Sequence, residues 1–135
     1  MRESLESRIR RRVDAKRGNV FLRADFAGLG GYDQVGRALR QLTRQGVLVR
    51  IGFGLYGRAT PSVLNGRPIP VQGLKTLHEA LGRVGIETFP SQIEKDYNAG
   101  KTTQVPTGRI LAVERRVRRK IGYDGITIRF ERARS

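Results

Sequence analysis

Apolar residues recur along this chain with two different periods, and the changes of period divide it into elements. Over residues 4–16, Leu5, Ile9 and Val13 fall at i, i+4 and i+8, a narrow helical stripe. Ser4 is placed as the N-cap, Glu6 and Ser7 stand in the first turn, and Gly18 acts as a stop. Val20-Phe21 reads as a short extended piece, residues 23–28 as a second, short helix, and Gly28-Leu29-Gly30-Gly31 as a turn. A third helix is predicted over 32–45. Its apolar face is Val35, Ala38, Leu39 and Leu42, its polar face Asp33, Gln34, Arg37, Arg40, Gln41 and Arg44, and Gly46 ends it. Within 47–58, two β-type runs flank Gly52-Phe53-Gly54, a tight hairpin. Helix, helix, turn, helix, hairpin is the order of a winged helix-turn-helix.

Residues 59–73 hold Pro61, Pro68 and Pro70, which argues against regular structure there. The chain therefore reads as a winged helix-turn-helix over 1–59, a Pro/Gly linker over 60–73 and a small α+β subdomain over 74–135. In that subdomain Leu74, Leu77, Leu81 and Val84 mark one side of a helix near 74–84, and Glu87-Thr88-Phe89 a short strand. Residues 91–104 are polar and ambiguous. Residues 109–113, 116–121 and 126–130 read as strands of a short antiparallel sheet, and Asp124-Gly125 as a tight-hairpin signal. In the last strand Ile126, Ile128 and Phe130 face one way, and Thr127, Arg129 and Glu131 the other. The expected class is α+β, without internal repeats or low-complexity segments.

Charge changes this picture from architecture to partner. The 135 residues carry 27 Lys+Arg against 12 Asp+Glu, a net charge of +15. The excess is not a tail: residues 1–59 hold 13 basic and 5 acidic residues, net +8, and residues 60–135 hold 14 and 7, net +7. Such a field attracts polyanions, nucleic acid first and an anionic membrane second. A ribosomal or histone-like protein would share the balance, so charge alone does not establish sequence-specific binding. Cysteine is absent, which excludes disulfides and thiolate metal sites, and one histidine excludes multi-histidine sites. No apolar run is long enough to span a membrane, and the charged start is not followed by the apolar stretch of a secretory signal. A cytoplasmic protein is expected.

On the third helix Gln34, Arg37, Gln41 and Arg44 lie at i, i+3, i+7 and i+10, opposite the core stripe. A recognition helix in the major groove uses these residue types, since Arg pairs with guanine and Gln with adenine. Tyr32 and Arg40 belong to the same candidate surface, and Asp33 is placed to cap the helix or to accept from cytosine. Arg50 and Arg58 flank the hairpin, where a wing lays cations on phosphates or into the minor groove. Arg116, Arg118 and Lys120 form a candidate second phosphate patch on a strand face. The alternative for each of these is an ordinary solvated charged face.

No catalytic constellation is visible. His78 is the only histidine, no P-loop spacing occurs, and Gly52-Phe53-Gly54 lacks the later glycine of a dinucleotide loop. Glu94 and Asp96, at i and i+2, would splay on a helix. No enzyme activity, metal or cofactor is expected.

The stretch Asp25-Phe26, Val35, Ala38-Leu39, Leu42, Gln45-Gly46, Arg50-Ile51-Gly52 and Gly54-Leu55-Tyr56 resembles the winged-helix domain of AbiEi-type antitoxins and their single-unit relatives of the DUF6088 kind. Pro90-Ser91, Asn98 and Thr102-Thr103-Gln104-Val105-Pro106 resemble that family's Pro-Ser turn, Asn and Ser-Thr-Gln-Val-Pro block. The likeness covers about residues 4–131. It implies a prokaryotic, nucleoid-associated repressor of its own operon in a type IV toxin–antitoxin or phage-defence setting. The implied partners are operator duplex DNA and a nucleotidyltransferase-type toxin. No heptad announces a dimer, so a homodimer and a cooperatively binding monomer are equally expected. The rival readings are a non-specific basic DNA- or RNA-binding protein and a protein-interaction module that neutralises a toxin.

Overall fold

The computed structural model describes residues 3–133 of the chain, so the ends of the first and last expected units lie outside the described residues. Helix α1 spans Leu5–Ala15, and the Ser4 hydroxyl accepts from the Ser7 N–H at 3.1 Å. Ile9 and Val13 are completely buried, as the stripe predicts. Strand β1, Val20–Leu22, follows, then a 3-10 helix over Arg23–Leu29, opened by the Asp25 carboxylate accepting from the Leu22 N–H at 2.9 Å. Helix α2, Tyr32–Arg44, buries Val35, Ala38, Leu39 and Leu42. It ends on Gly46, whose φ of 78° lets the Val47 N–H reach back to the Leu42 carbonyl at 3.0 Å.

Strands β2, Leu48–Gly52, and β3, Leu55–Pro61, form the expected hairpin around Phe53-Gly54, with Gly54 at φ 67°. Strand β1 pairs antiparallel with β3, so the order is β1-β3-β2. The expectation that 60–73 is a linker without regular structure is corrected. β3 continues to Pro61, and β4, Pro68–Pro70, pairs antiparallel with its far end. Two prolines survive in this strand because it is an edge. Pro68 and Pro70 sit at i and i+2, so their missing N–H groups share the unpaired side, while the Val71 N–H donates to the Arg58 carbonyl at 2.9 Å.

The second half begins with α3, Leu74–Arg83, which buries Thr76, Leu77, Ala80 and Leu81. The ambiguous stretch contains α4, Gln92–Asn98, capped by the buried Ser91 hydroxyl on the Glu94 N–H at 3.2 Å. Strand β5 is Ile110–Val113, and Phe89 makes an isolated bridge to Ala112 in place of a full strand at 87–89. Strands β6, Gly122–Tyr123, and β7, Ile126–Thr127, form a hairpin through Asp124 and Gly125, both at positive φ (46° and 80°). Strand β8, Arg129–Arg132, closes the chain.

Three expectations fail here, the first being that 126–130 is one strand: it is broken at Ile128 into β7 and β8. Residues 116–121 are not a strand: six residues hold Arg116, Arg118, Arg119 and Lys120, only Ile121 is fully buried, and no partner strand pairs with them among the described residues. The sheet is not wholly antiparallel either. β8 pairs parallel with β5, and the β6–β7 hairpin lies in the connection between them.

The β1-β2-β3 sheet is covered on both faces, and strand alternation decides which residue goes where. Phe21 and Tyr56 join Ile9, Val13, Phe26, Val35, Leu39, Leu42 and Leu48 in a core against α1 and α2. Their neighbours Val20 and Leu55, with Ile51, join Leu77 and Leu81 of α3, Leu111, Ile121 and Ile128 in a second core. The two halves of the sequence therefore share hydrophobic packing through this sheet. The Asp25 carboxylate ties them again, accepting from Lys16 at 3.0 Å and from Arg83 of α3 at 2.6 Å.

Candidate nucleic-acid interface

The polar face of α2 divides into two edges. On the edge toward α1, side-chain amides are occupied within the protein. The Gln34 Oε1 accepts from the Gly31 N–H at 3.2 Å, and Gln45 donates to Glu6 of α1 at 2.8 Å. Gln41 is half-buried, and its Oε1 accepts from Arg44 at 3.4 Å. Of the four residues in the predicted reading stripe, Arg37 and Arg44 thus keep free guanidinium donors, while Gln34 and Gln41 are partly committed. The opposite edge faces the hairpin. Arg40 and Arg44 share a groove of about 370 Å³ with Arg50, Phe53 and Arg23.

Tyr32 opens α2 with its ring 66% exposed, and the Arg23 guanidinium lies over it at 3.5 Å from the centroid while donating to the Tyr32 carbonyl at 2.6 Å. Arg23 crosses α2 at Gly36, where a Cβ would collide with its Nη2. The bare Gly36 leaves room for this guanidinium at a helix position where glycine otherwise costs about 1 kcal/mol. The pattern of the sequence carries no sign of this packing.

The hairpin residues separate. Arg50 is exposed beside the turn, its Nε donating to the Gly52 carbonyl at 3.3 Å. Arg58 is not a wing cation. Its Nη2 donates to the carbonyls of Val13 (3.0 Å), Lys16 (3.1 Å) and Gly18 (3.1 Å), and the guanidinium stands 5.3 Å from the Phe21 ring centroid. Position 58 lies in β3 away from the turn, against the last turn of α1, where unpaired carbonyls attract a cation.

The basic run after β5 also changes its place. Arg116 and Arg118 are found around a cavity they share with Glu87, Glu114 and Val113 of β5, in a segment that is itself not a strand. Lys120 comes to the hairpin, its carbonyl meeting Gly52, and Arg119, which belongs to the basic run 115–120 but not to the expected patch, donates to the Phe53 carbonyl at 3.2 Å. The expected second patch is therefore not a strand face, and Arg119 connects the cavity of Arg116 and Arg118 to the hairpin.

The surroundings of the Asp25 carboxyl act on its pKa in opposite directions. Burial raises its pKa, but the Leu22 N–H, then Lys16 and Arg83, outweigh that and hold the carboxyl below its ordinary 3.8. His78 is exposed with Nε2 3.3 Å from the Gly108 carbonyl. Among the described residues no group of three or more His, Cys, Asp or Glu side chains is placed to hold a metal, and no helix is long and apolar enough to cross a membrane.

Fold and surface together define a small, mixed α+β, strongly basic protein that exposes arginines along most of its length, among them Arg37, Arg40 and Arg44 of α2 and Arg50 and Arg119 near the hairpin turn. The chain belongs to the DUF6088 family, a family of unknown function, which it matches over residues 6–134. No curated protein and no solved structure matches it.

Proposed function

We propose that this protein is a non-enzymatic, sequence-specific duplex-DNA-binding repressor whose first 59 residues form a winged helix-turn-helix. In this reading the 3-10 helix and α2 are the helix-turn-helix pair, α2 enters the major groove, and β2–β3 is the wing. The observation that carries it is the grouping of Arg37, Arg40 and Arg44 on α2 with Arg50 and Arg119 at the adjacent hairpin, in a chain of net charge +15. Arg37 and Arg44 would read bases or adjacent phosphates, and Arg40, Arg50 and Arg119 would hold phosphates. Arg58 has no part in it.

The biological setting we propose is autoregulation of a toxin–antitoxin or phage-defence operon, with the C-terminal half contacting a nucleotidyltransferase-type toxin. It rests on the resemblance of the Thr102–Pro106 block to AbiEi-type antitoxins. That block lies in a loop after α4, with Val105 67% exposed, as a partner-binding segment requires. Co-purification with the product of a neighbouring toxin gene, abolished on replacing Val105 by Asp, tests this part.

A non-specific basic binder is the second reading, favoured by the even spread of charge, +8 and +7, over the two halves. Fluorescence anisotropy separates the two, using DNA from upstream of the protein's own gene against a scrambled duplex near physiological salt. Specific recognition predicts about a hundredfold tighter binding to the native duplex, or more. Equal affinity overturns the repressor and leaves the charge-driven binder.

A further inference from the structure

Phe53 is the one aromatic residue of the hairpin turn, and it is 74% exposed although the backbone around it is held firmly. Arg119 donates to its carbonyl at 3.2 Å. The preceding residue, Gly52, is packed so closely on the Lys120 carbonyl that a Cβ would stand 3.0 Å from it. The following residue, Gly54, supplies the positive φ of 67° that closes the turn. The tip is thus braced from behind by the 119–120 segment while the ring is left in water. A turn of this geometry needs glycine at its second position; nothing in it needs phenylalanine at its first. Arg40, Arg44 and Arg50 line one groove with Phe53, and Arg119 lines a second cavity with it.

An unburied ring on a braced turn, with several guanidinium groups nearby, matches one kind of polyanion best. Phosphates satisfy the arginines, and stacked bases offer flat apolar faces at the spacing of a ring. We infer that Phe53 is a wedge that stacks on or between bases when the hairpin meets DNA, adding affinity and a local distortion that phosphate contacts alone do not give. The inference rests on the DNA-binding reading above and deepens it. A membrane surface is the weaker fit, because interfacial binding needs a broad apolar face and this tip offers a single ring.

The chain contains no tryptophan, so Phe53→Trp introduces a single tryptophan whose fluorescence, excited apart from the four tyrosines, reports stacking directly. The full-length variant is titrated with a mixed-sequence duplex carrying a fluorescent label, so that anisotropy follows binding and tryptophan emission follows the ring. A wedge predicts that binding quenches the tryptophan and shields it from acrylamide. It also predicts that Phe53→Ala weakens binding roughly 5- to 150-fold with an unchanged salt slope. An anisotropy rise without quenching or shielding overturns the wedge and leaves the DNA-binding reading standing. No anisotropy rise on any duplex overturns both. A tryptophan blue shift on phosphatidylserine vesicles, with no response to DNA, overturns the wedge in favour of a membrane contact.

Discussion

Single residues in this protein have roles that their type alone does not reveal, and Asp25 and Arg58 are the clearest cases. Asp25 takes a backbone N–H and two cations from three elements, with a side chain only 14% exposed. Its folded pKa lies below the ordinary 3.8, so its contribution to stability is present above that value and fades as pH falls through the folded pKa. Asp25→Asn is therefore expected to cost about 1.5–3 kcal/mol in urea unfolding near neutral pH. The gap to wild type should close in acid below the carboxylate range; a gap that persists there would assign the loss to packing. Arg58 closes the carbonyl end of α1 through Nη2 while its Nε donates to the Asn19 Oδ1 at 3.3 Å, and the single nitrogen of Lys cannot hold both places. Both Arg58→Ala and Arg58→Lys should lower the melting temperature. DNA affinity per folded molecule, measured well below that temperature, should change no more than the removal of one remote charge allows.

At the scale of elements, the recognition surface is shared between α2 and the β2–β3 hairpin, and their contributions should differ in kind. Arg37→Ala is expected to cost about 1–3 kcal/mol and to relax specificity at one base position, if it pairs with that base in a bidentate way. Arg40→Ala, Arg44→Ala and Arg50→Ala should each lower the slope of log K against log salt, by about 0.9 for each phosphate no longer neutralised. Affinity measured on native and scrambled duplexes over a salt series gives both quantities. Uniform weakening on every sequence for Arg37→Ala would remove it from base reading and make it another phosphate ligand.

The whole molecule is organised around one sheet buried from two sides. The face carrying Val20, Ile51 and Leu55 is covered by α3 and the C-terminal strands, so the first 59 residues expose that face when cut free. A fragment ending at Ala59 also lacks β4 at the sheet edge and Arg83 beside Asp25. It should show a broad, low-midpoint urea transition where the full chain unfolds in a single sharp step. A sharp transition in the fragment would show that the first core suffices.

How much of this the sequence reveals follows from the range of the forces involved. Local pattern determined α1, α2, α3 and the two hairpins, because a 3.6 or 2-residue apolar period, a capping serine and a positive-φ glycine act within one or two turns of chain. The arginine-rich face of α2 is visible for the same reason: helical spacing alone puts Arg37, Arg40 and Arg44 opposite Val35, Leu39 and Leu42. Pairing across long stretches of sequence is not visible. The Pro-rich β4, the parallel β5–β8 pair, the absence of a strand at 116–121, and the second core all depend on which surface happens to lie alongside. Charge has the same limit. The sequence determined that this protein is a polycation, but only the tertiary structure decided that Arg58 would close a helix, that Arg23 would lie across Gly36, and that Arg119 would stand beside Phe53. A guanidinium on a long flexible stem takes its partner from whatever carbonyl or carboxylate the fold brings within hydrogen-bonding distance.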